Sequence, residues 1–236
     1  MLLTDVADVD LAAAYAYPDL AENPWLRVNM VASVDGAAWR DGKAGGLGSE
    51  TDQTLLSLLR GLCDVIVVGA NTVRVEGYGP VRPRDSWREL RAGRPTVPRL
   101  AIISRDLDLD ADSAVFTEGD PIVITCESSP DDRRRGIGKH AEVIVAGGDS
   151  VELETALDAL ADRGHLRQLS EGGPRLLAQF ATAGRVDELC LTLSPQLVAG
   201  DAARITNGSL LAEPARLRLG HVLTDDDFLF LRYVRA

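Results

Sequence analysis

The sequence predicts a single α/β domain built around a mainly parallel sheet. Seven short runs are dense in Val, Ile and Leu: residues 27–34, 64–70, 99–105, 121–126, 141–147, 166–171 and 188–198. Several of these runs are continuously apolar, as expected of strands that are buried on both faces of a parallel sheet. Helical patterns separate the runs, and this alternation is typical of α/β folds. A chain of 236 residues is long enough for one large domain of this kind.

Three segments combine a helical spacing of apolar residues with start and stop signals. They are residues 49–62, which open on Ser49 as a cap, residues 150–164, which open on Ser150 as a cap and stop at Gly164, and residues 173–185, which start with Pro174 and end at Gly184. The last run of the chain, residues 226–234, alternates between apolar and polar positions. That alternation predicts an antiparallel strand near an edge of the sheet.

The chain is expected to divide into an N-terminal extension of helical character, residues 1–24, and a main domain, residues 25–236. The first ten residues contain three Asp and no basic residue, which argues against a secretory or mitochondrial signal, so we expect a cytoplasmic protein. No apolar run approaches the roughly 20 residues that a membrane span needs. The segment 75–98 is rich in Gly and Pro, and it predicts a long functional loop.

The net charge of −11 argues against nucleic acid or an anionic membrane as a partner. Within this acidic chain, residues 74–105 carry eight Arg and three acidic residues. Such a segment either holds a phosphorylated small molecule or forms a solvated loop, and the local sequence favours neither. The three Cys lie far apart in or beside apolar runs, which indicates free buried thiols. The three His fall in no ligand spacing, so no metal site is expected.

Polar residues stand at the end of the first predicted strand, before a glycine-rich loop that contains Gly46. Such a loop lets the backbone approach a flat ligand closely. Ser33 and Asp35 are therefore candidates to bind a substrate, and Asp35 could also supply a proton. The alternative is that Asp35 and Gly36 form only a turn.

Two further strand ends carry candidates for a nucleotide. Gly69, Asn71 and Thr72 form a strand-to-helix turn, which is a common position for a phosphate, although neither GxGxxG nor GxxxxGK[ST] is present. Ser104 and Arg105 follow the next apolar run. They could clamp the 2′-phosphate that distinguishes NADPH from NADH, or Arg105 could be an ordinary surface residue.

The stretch "LSEGGPRLLAQF" joins an acidic residue to a helix start. Gly172, Gly173 and Pro174 place backbone N–H groups where anions bind. Glu171 precedes them, although a carboxylate would repel an anion bound at the same place. The sequence therefore raises the question of whether Glu171 and the glycines serve the same ligand.

Taken in order, "VASVDG", "LLRGLCDVIVVGANTVRVEGYG", "LSEGGPRLLAQF" and "VDELCLTLSPQLVAG" resemble the reductase domain of the riboflavin-biosynthesis deaminase–reductase, the RibD C-terminal domain. The resemblance covers about residue 26 to the C-terminus, and it points to stand-alone actinobacterial members, since the zinc-deaminase signature is missing. It implies a dihydrofolate-reductase-like three-layer sandwich with a central mixed, mainly parallel sheet. The implied reaction is the NADPH-dependent reduction of 5-amino-6-(5-phosphoribosylamino)uracil to its ribitylamino product, and the family commonly forms homodimers.

The resemblance and the local motifs together predict roles for individual residues. The residues expected at the cofactor are Ala32, Gly46, Gly69, Asn71, Thr72, Glu76, Ser104, Arg105, Gly172, Gly173, Pro174, Arg175 and Leu176. The residues expected at the phosphorylated pyrimidine are Ser33, Arg60 and Arg82, with Asp35 and Glu171 as catalytic candidates. Glu171 would then face the pyrimidine and ribose while the glycine N–H groups face the cofactor phosphates, so that the two occupy neighbouring sites.

The sequence leaves two other functions open. The chain could reduce a related heterocycle such as dihydrofolate, or it could bind NADP without catalysis. One departure from the family bears on the substrate: the lysines that many members carry in the first strand are absent, and Arg27 and Asn29 occupy that region. The arginines near residues 82–94 disfavour dihydrofolate, and the intact glycine loops argue against a loss of activity.

Overall fold

The structure is a computed structural model that describes residues 4–236. The strands are β1 (Thr4–Asp5), β2 (Trp25–Ser33), β3 (Val65–Gly69), β4 (Arg99–Ile103), β5 (Ile122–Thr125), β6 (Glu142–Val145), β7 (Arg167–Ser170), β8 (Glu188–Ser194), β9 (Leu217–Asp225) and β10 (Phe228–Arg235). The α-helices are α1 (Leu11–Ala14), α2 (Glu50–Leu62), α3 (Ala70–Glu76), α4 (Ala114–Thr117), α5 (Asp131–Ile137), α6 (Leu153–Ala161) and α7 (Pro174–Thr182).

All ten strands form one sheet, in the order β1-β9-β10-β8-β2-β7-β3-β4-β5-β6. β10 is antiparallel to β8 and β9, as its alternating pattern predicts, and the other neighbours are parallel. The parallel strands β3, β4 and β5 are almost entirely buried, which explains their continuous apolar runs.

Two hydrophobic clusters cover the two faces of the sheet. On one face, called here the α2 face, Leu55 and Leu59 pack with Ile66 and Val68 of β3. On the other, called the α7 face, helices α6 and α7 pack over β2 to β6, with Phe180 at the centre. The predicted class, a three-layer α/β sandwich with a mixed, mainly parallel sheet, is confirmed.

The predicted helix signals have different outcomes. The Ser49 hydroxyl accepts the Asp52 N–H at 3.1 Å, and Pro174 stands at the start of α7, so both of these signals are confirmed. The prediction of Ser150 as a cap is wrong, because α6 begins three residues later and its cap residue is Glu152. The Glu152 N–H instead bonds to the Ala146 carbonyl, which closes a turn after β6 that includes Ser150.

The N-terminal segment is packed against the sheet. β1 pairs with β9, and Tyr15 is fully buried in the cluster on the α2 face. Its carbonyl accepts a hydrogen bond of 2.7 Å from the Arg27 guanidinium. The division into residues 1–24 and 25–236 stays a prediction, and residues 1–3 lie outside the described residues. Among residues 4–236, no helix is both long and apolar enough to cross a bilayer.

The arginine-rich segment mainly stabilises the fold. Arg91 and Arg94 donate to backbone carbonyls at the C-terminal end of α2, among them those of Leu62 and Cys63, where the helix leaves carbonyls without partners. Other arginines of the segment bind acidic side chains or carbonyls: Arg74 at Asp108, Arg88 at Asp85, Arg99 at Asp120 and Glu142, and Arg105 at Asp149. Arg82 and Arg84 instead line a cleft, where Arg82 also forms an ion pair with Glu118.

Candidate active site

The carboxyl ends of the parallel strands meet at one edge of the sheet. The chain enters at β2, runs outward through β3 to β6, and returns with β7 between β2 and β3 and with β8 on the other side of β2. In open α/β sheets, ligands bind where the strand order reverses in this way. The ends of β2, β3, β7 and β8 therefore define the candidate site.

The turns after β3 and β7 touch each other through glycine. A Cβ on Gly172 would lie 2.6 Å from a Leu176 methyl group and 3.2 Å from the Gly69 nitrogen, so a larger residue would force the two turns apart. Gly173 has a φ of +60°, and a Cβ there would lie 3.0 Å from the Thr72 hydroxyl. Only glycine permits this backbone approach.

The first turn of α7 is open to an anion. Gly173 precedes it and no side chain caps it, so the N–H groups of the first turn lack intrahelical partners. The Gly172 N–H differs from the expectation, because it is directed at the Ser170 hydroxyl at 3.3 Å. Arg175 is exposed on this turn, whereas Leu176 is buried beneath it. These residues fit the pyrophosphate of a nicotinamide cofactor.

Glu171 faces away from this turn, toward α2. Its carboxylate accepts two hydrogen bonds from Arg60, 2.7 Å from Nε and 2.5 Å from Nη2. The Tyr78 hydroxyl donates to the same carboxylate at 2.6 Å. Only 4% of the Glu171 side chain is exposed. The carboxylate and the anion-binding turn therefore lie side by side and can serve two different ligands.

Tyr78 is a site residue that the sequence reading missed. It follows Gly77, the left-handed residue that ends α3, and this turn directs the ring to Glu171. Burial raises the pKa of the Tyr78 phenol well above its ordinary value, and the neighbouring Glu171 carboxylate raises it further. The phenol is thus a hydrogen-bond donor at every pH of interest. The available signal was the aromatic residue within "VEGYGP".

A cleft of about 310 Å³ opens beside this cluster. Three arginines, Arg60, Arg82 and Arg84, line it together with Tyr78 and one acid, Glu76, and its apolar lining residues include Ile66, Val81, Trp87 and Leu100. Arg82 forms an ion pair with Glu118 across the exposed rim. The cleft therefore presents positive charge above an apolar floor, which suits a phosphorylated ring compound.

Asp35 holds two loops together. Its carboxylate accepts the Ser33 hydroxyl and the backbone N–H groups of Val198 and Ala199, the latter two at 3.1 and 2.7 Å. The hydrogen bond from Ser33, followed by those from the backbone, lowers the pKa of the Asp35 carboxyl. Asp35 is therefore ionised at neutral pH, and it is better suited to accept hydrogen bonds than to supply a proton.

The remaining predicted residues also lie along the carboxyl edge. Glu76 accepts the Ala44 N–H at 3.1 Å and so fixes the glycine-rich loop, whose Gly46 carbonyl faces the Gln196 amide at 3.4 Å. Ala32 and Ser104 are buried at the ends of β2 and β4, while Asn71 is exposed at the start of α3. Arg105 is exposed and donates to the Asp149 carbonyl at 2.9 Å.

Comparison with known proteins identifies the family of this site. The sequence model described as the RibD C-terminal domain matches residues 24–230. The chain belongs to the RibD C-terminal domain family. The family resemblance read from the sequence is confirmed, including the EGGP turn that places Glu171 beside α7.

Similar proteins occur in archaea and bacteria. The chain is 30% identical over 215 residues to the 2,5-diamino-6-ribosylamino-4(3H)-pyrimidinone 5′-phosphate reductase of Methanothermobacter thermautotrophicus, a match that covers 89% of this chain and 97% of the relative. It is 26% identical over 199 residues to the enzyme of the same name from Archaeoglobus fulgidus, which covers 82% and 91%. A solved pyrimidine reductase-like protein from Corynebacterium diphtheriae superposes with a TM-score of 0.86 at 32% identity, covering 97% and 99%.

These relatives are reductases, so the predicted enzyme class, an oxidoreductase, is confirmed. As a member of a RibD C-terminal domain reductase family, the chain is a nicotinamide-dependent enzyme. The roles of the individual site residues stay predictions. What the fold adds is their grouping, since it brings Arg60, Tyr78 and Glu171 into one cluster and places Asp35, Ser104 and Arg105 at the same edge.

Proposed function

We propose that this protein is an NADPH-dependent reductase of a phosphorylated ribosylaminopyrimidine in riboflavin biosynthesis. The observation that carries the proposal is the Glu171–Arg60–Tyr78 cluster beside the uncapped first turn of α7. One position suits the ribosylaminopyrimidine and the other suits the pyrophosphate of the cofactor. The names of the similar archaeal reductases support the same chemistry.

Two substrates of this class fit the proposal. The sequence resemblance implies 5-amino-6-(5-phosphoribosylamino)uracil, whereas the archaeal relatives are named for the 2,5-diaminopyrimidinone. Both carry the same ribosylamino phosphate, so both would meet the cleft arginines in the same way. They differ at C2 of the ring, where one has a carbonyl oxygen and the other an amino group, and at N1, which carries a hydrogen only in the uracil.

The residues of the chain would bind and orient the reactants. NADPH, when bound, supplies a hydride to C1′ of the ribosylamino group. Gly173 and the first turn of α7 would hold the pyrophosphate, and Ser104 with Arg105 would hold the 2′-phosphate. Arg82 and Arg84 would hold the substrate phosphate. Glu171, fixed by Arg60 and Tyr78, would accept hydrogen bonds from the ribose, and ionised Asp35 would hold the turn after β2 to the loop that contains Val198 and Ala199.

The deciding experiment follows NADPH absorbance with the purified protein. Each pyrimidine is offered separately, with dihydrofolate and NADH as parallel trials. We expect oxidation of NADPH with a ribosylaminopyrimidine and none with dihydrofolate. Turnover of dihydrofolate would favour a related heterocycle as substrate, and NADPH binding without any turnover would favour a non-catalytic protein.

Arg105 is proposed to select NADPH. Arg105→Ala should raise the KM for NADPH about 10- to 100-fold, the usual range for a lost charge-assisted hydrogen bond, and leave the KM for NADH unchanged. Steady-state kinetics with both cofactors would measure this. Arg88→Ala is the control, since Arg88 is an exposed arginine paired with Asp85. An equal loss for NADPH and NADH would show that Arg105 does not bind the 2′-phosphate.

We further propose that the protein acts as a homodimer in the cytoplasm, and that residues 1–24 and 25–236 are its extension and its reductase domain. The three buried, unpaired cysteines suit a reducing compartment.

We place the dimer contact on β9 and β10, on the side of the sheet that α7 covers elsewhere. Five apolar side chains lie there, all half-exposed or exposed and outside both hydrophobic clusters: Leu219, Val222, Leu229, Leu231 and Tyr233.

This patch favours a second copy of the chain as its partner. It carries no charge, so two molecules of net charge −11 can meet there without opposing like charges. Leu231→Arg should convert the dimer to a monomer in light scattering, because a buried unpaired charge would cost more than the contact gains. Leu210→Arg, at an exposed loop residue, is the control. A monomeric wild-type protein would overturn the proposal.

A further inference from the structure

The surface of β2 beside Glu171 is only partly covered. This strand is internal, with β7 on one side and β8 on the other, so its side chains should be covered. Toward its carboxyl end, however, Asn29 and Val31 are only half-buried on the α2 face. In register, Asn29 pairs with Cys190 and Val31 with Thr192. These two side chains therefore form the floor of an open crevice, with β7 and Glu171 along one side and β8 along the other.

Asp52 stands at the β8 side of this floor. It lies in the first turn of α2, three residues before Leu55 and seven before Leu59, so it is the polar member of the stripe that α2 turns toward the sheet. The hydroxyl of buried Thr192 lies near its carboxyl. On the other side the carboxyl lies against Gly48, where an added Cβ would be 2.6 Å from Oδ2.

The Asp52 carboxyl has no basic side chain as a partner among residues 4–236. Glu171 is paired with Arg60, but among residues 4–236 Asp52 forms no ion pair with Arg, Lys or His. Burial raises the pKa of the Asp52 carboxyl, while the neighbouring Thr192 hydroxyl acts in the opposite direction. An unpaired acid in a half-buried position is costly, and it becomes favourable when a ligand brings hydrogen-bond donors to it.

We propose that Asp52 recognises the edge of the substrate's pyrimidine ring that carries N3–H and a 2-amino group, and thereby selects the 2,5-diaminopyrimidinone over the uracil. The proposal rests on the proposed function and specifies its substrate. The two parallel N–H donors of the aminopyrimidinone match the two oxygens of a carboxylate, as an arginine fork does. At the same edge, uracil offers only N3–H, flanked by two carbonyl oxygens that would repel the carboxylate.

The width of the crevice is consistent with this role of Asp52. Adjacent strands lie roughly 4.8 Å apart, so the β7 and β8 sides of β2 are separated by about 10 Å. Glu171 follows β7 level with Asn29, and Thr192 lies on β8 opposite Val31, two residues further toward the carboxyl edge. A pyrimidine ring with its ribosylamino substituent spans such a gap. The ring edge can therefore meet Asp52 while the ribose lies at Glu171 and Arg60.

The test compares both pyrimidines with Asp52→Asn. We expect the wild-type kcat/KM for the diaminopyrimidinone to exceed that for the uracil at least about 10-fold. Asp52→Asn should lower the value for the diaminopyrimidinone about 10- to 100-fold, because the amide accepts only one of the two donors. For the uracil the value should stay or rise, since the amide can accept from N3–H and donate to O2. Glu50→Gln is the matched control, an exposed acid in the same helical turn with the same change in charge.

Binding of 2-amino-4(3H)-pyrimidinone and of uracil to the NADPH-loaded proteins, by calorimetry, separates this inference from the proposed function. If the wild type turns over neither pyrimidine but binds the aminopyrimidinone in an Asp52-dependent way, the function is wrong and the role of Asp52 stands. Turnover that Asp52→Asn lowers equally for both substrates, or not at all, would overturn the role of Asp52 alone. If there is neither turnover nor Asp52-dependent binding, both are overturned.

Discussion

Glu171→Gln is expected to lower kcat/KM for the pyrimidine about 100- to 1000-fold while the Kd for NADPH changes less than about 3-fold. The carboxylate is held by both nitrogens of the Arg60 fork and by the Tyr78 hydroxyl, and it is nearly buried. The amide cannot accept the Arg60 fork in the same way. Arg60 then loses its partner inside the cleft, and the hydrogen-bond acceptor for the ribose turns away.

Single-turnover kinetics and fluorescence titration with NADPH would separate the two quantities. Tyr78→Phe removes only one of the three hydrogen bonds to Glu171, and its loss in kcat/KM should therefore be smaller, about 10-fold. Glu154→Gln, an exposed acid on α6, should behave as wild type. An equal loss of NADPH affinity and pyrimidine turnover in Glu171→Gln would place this carboxylate in the cofactor site instead.

Glu188→Ala is expected to lower the free energy of unfolding by about 3–5 kcal/mol. Glu188 is fully buried at the start of β8, where it accepts from Arg27 at 2.7 Å, Arg232 at 2.8 Å and Trp25 Nε1 at 3.1 Å. Without this carboxylate, the guanidinium of Arg27, which is also fully buried, has no counter-charge. The predicted loss comes from that stranded charge rather than from the pair itself.

The same network predicts a dependence of stability on pH. Burial by itself would raise the pKa of Glu188, but the charges and hydrogen bonds of Arg27 and Arg232 outweigh it and lower the pKa below its ordinary value of 4.5. The folded state therefore binds this proton less readily than the unfolded state. The stabilisation is complete above the unfolded pKa, and it is lost as the pH falls through the folded one.

Urea unfolding followed by tryptophan fluorescence, at pH 7 and at steps below pH 4.5, would measure both effects. Glu142→Gln is a matched control, since Glu142 also binds two arginines, Arg99 and Arg163, but at the exposed edge of the sheet. It should cost about 1 kcal/mol or less. A loss of similar size in Glu188→Ala and Glu142→Gln would contradict the argument from the buried charge.

The sequence by itself determined the elements whose signals are local. The continuous apolar runs of β3, β4 and β5 required strands buried on both faces. The Ser49 cap and Pro174 fixed the starts of α2 and α7. Gly172 and Gly173 marked the place where two turns meet, because only glycine tolerates the approach and the positive φ found there. Each of these depends on neighbours within a few residues.

Only the tertiary structure decided the rest. β9 was missed because "LRLGHVLTD" carries a glycine at its bulge and exposed charges, and it becomes a strand only by pairing with β10. Residues 60, 78 and 171 are distant in the chain, and Arg60 could have met an anion as well as Glu171. For Arg91 and Arg94 the sequence left open whether they bind a phosphate or lie in a solvated loop, and the fold gave them the carbonyls of α2 as partners instead. A charged or hydrogen-bonding side chain can bind many different partners, and the packing of the fold determines which of them lies within its reach.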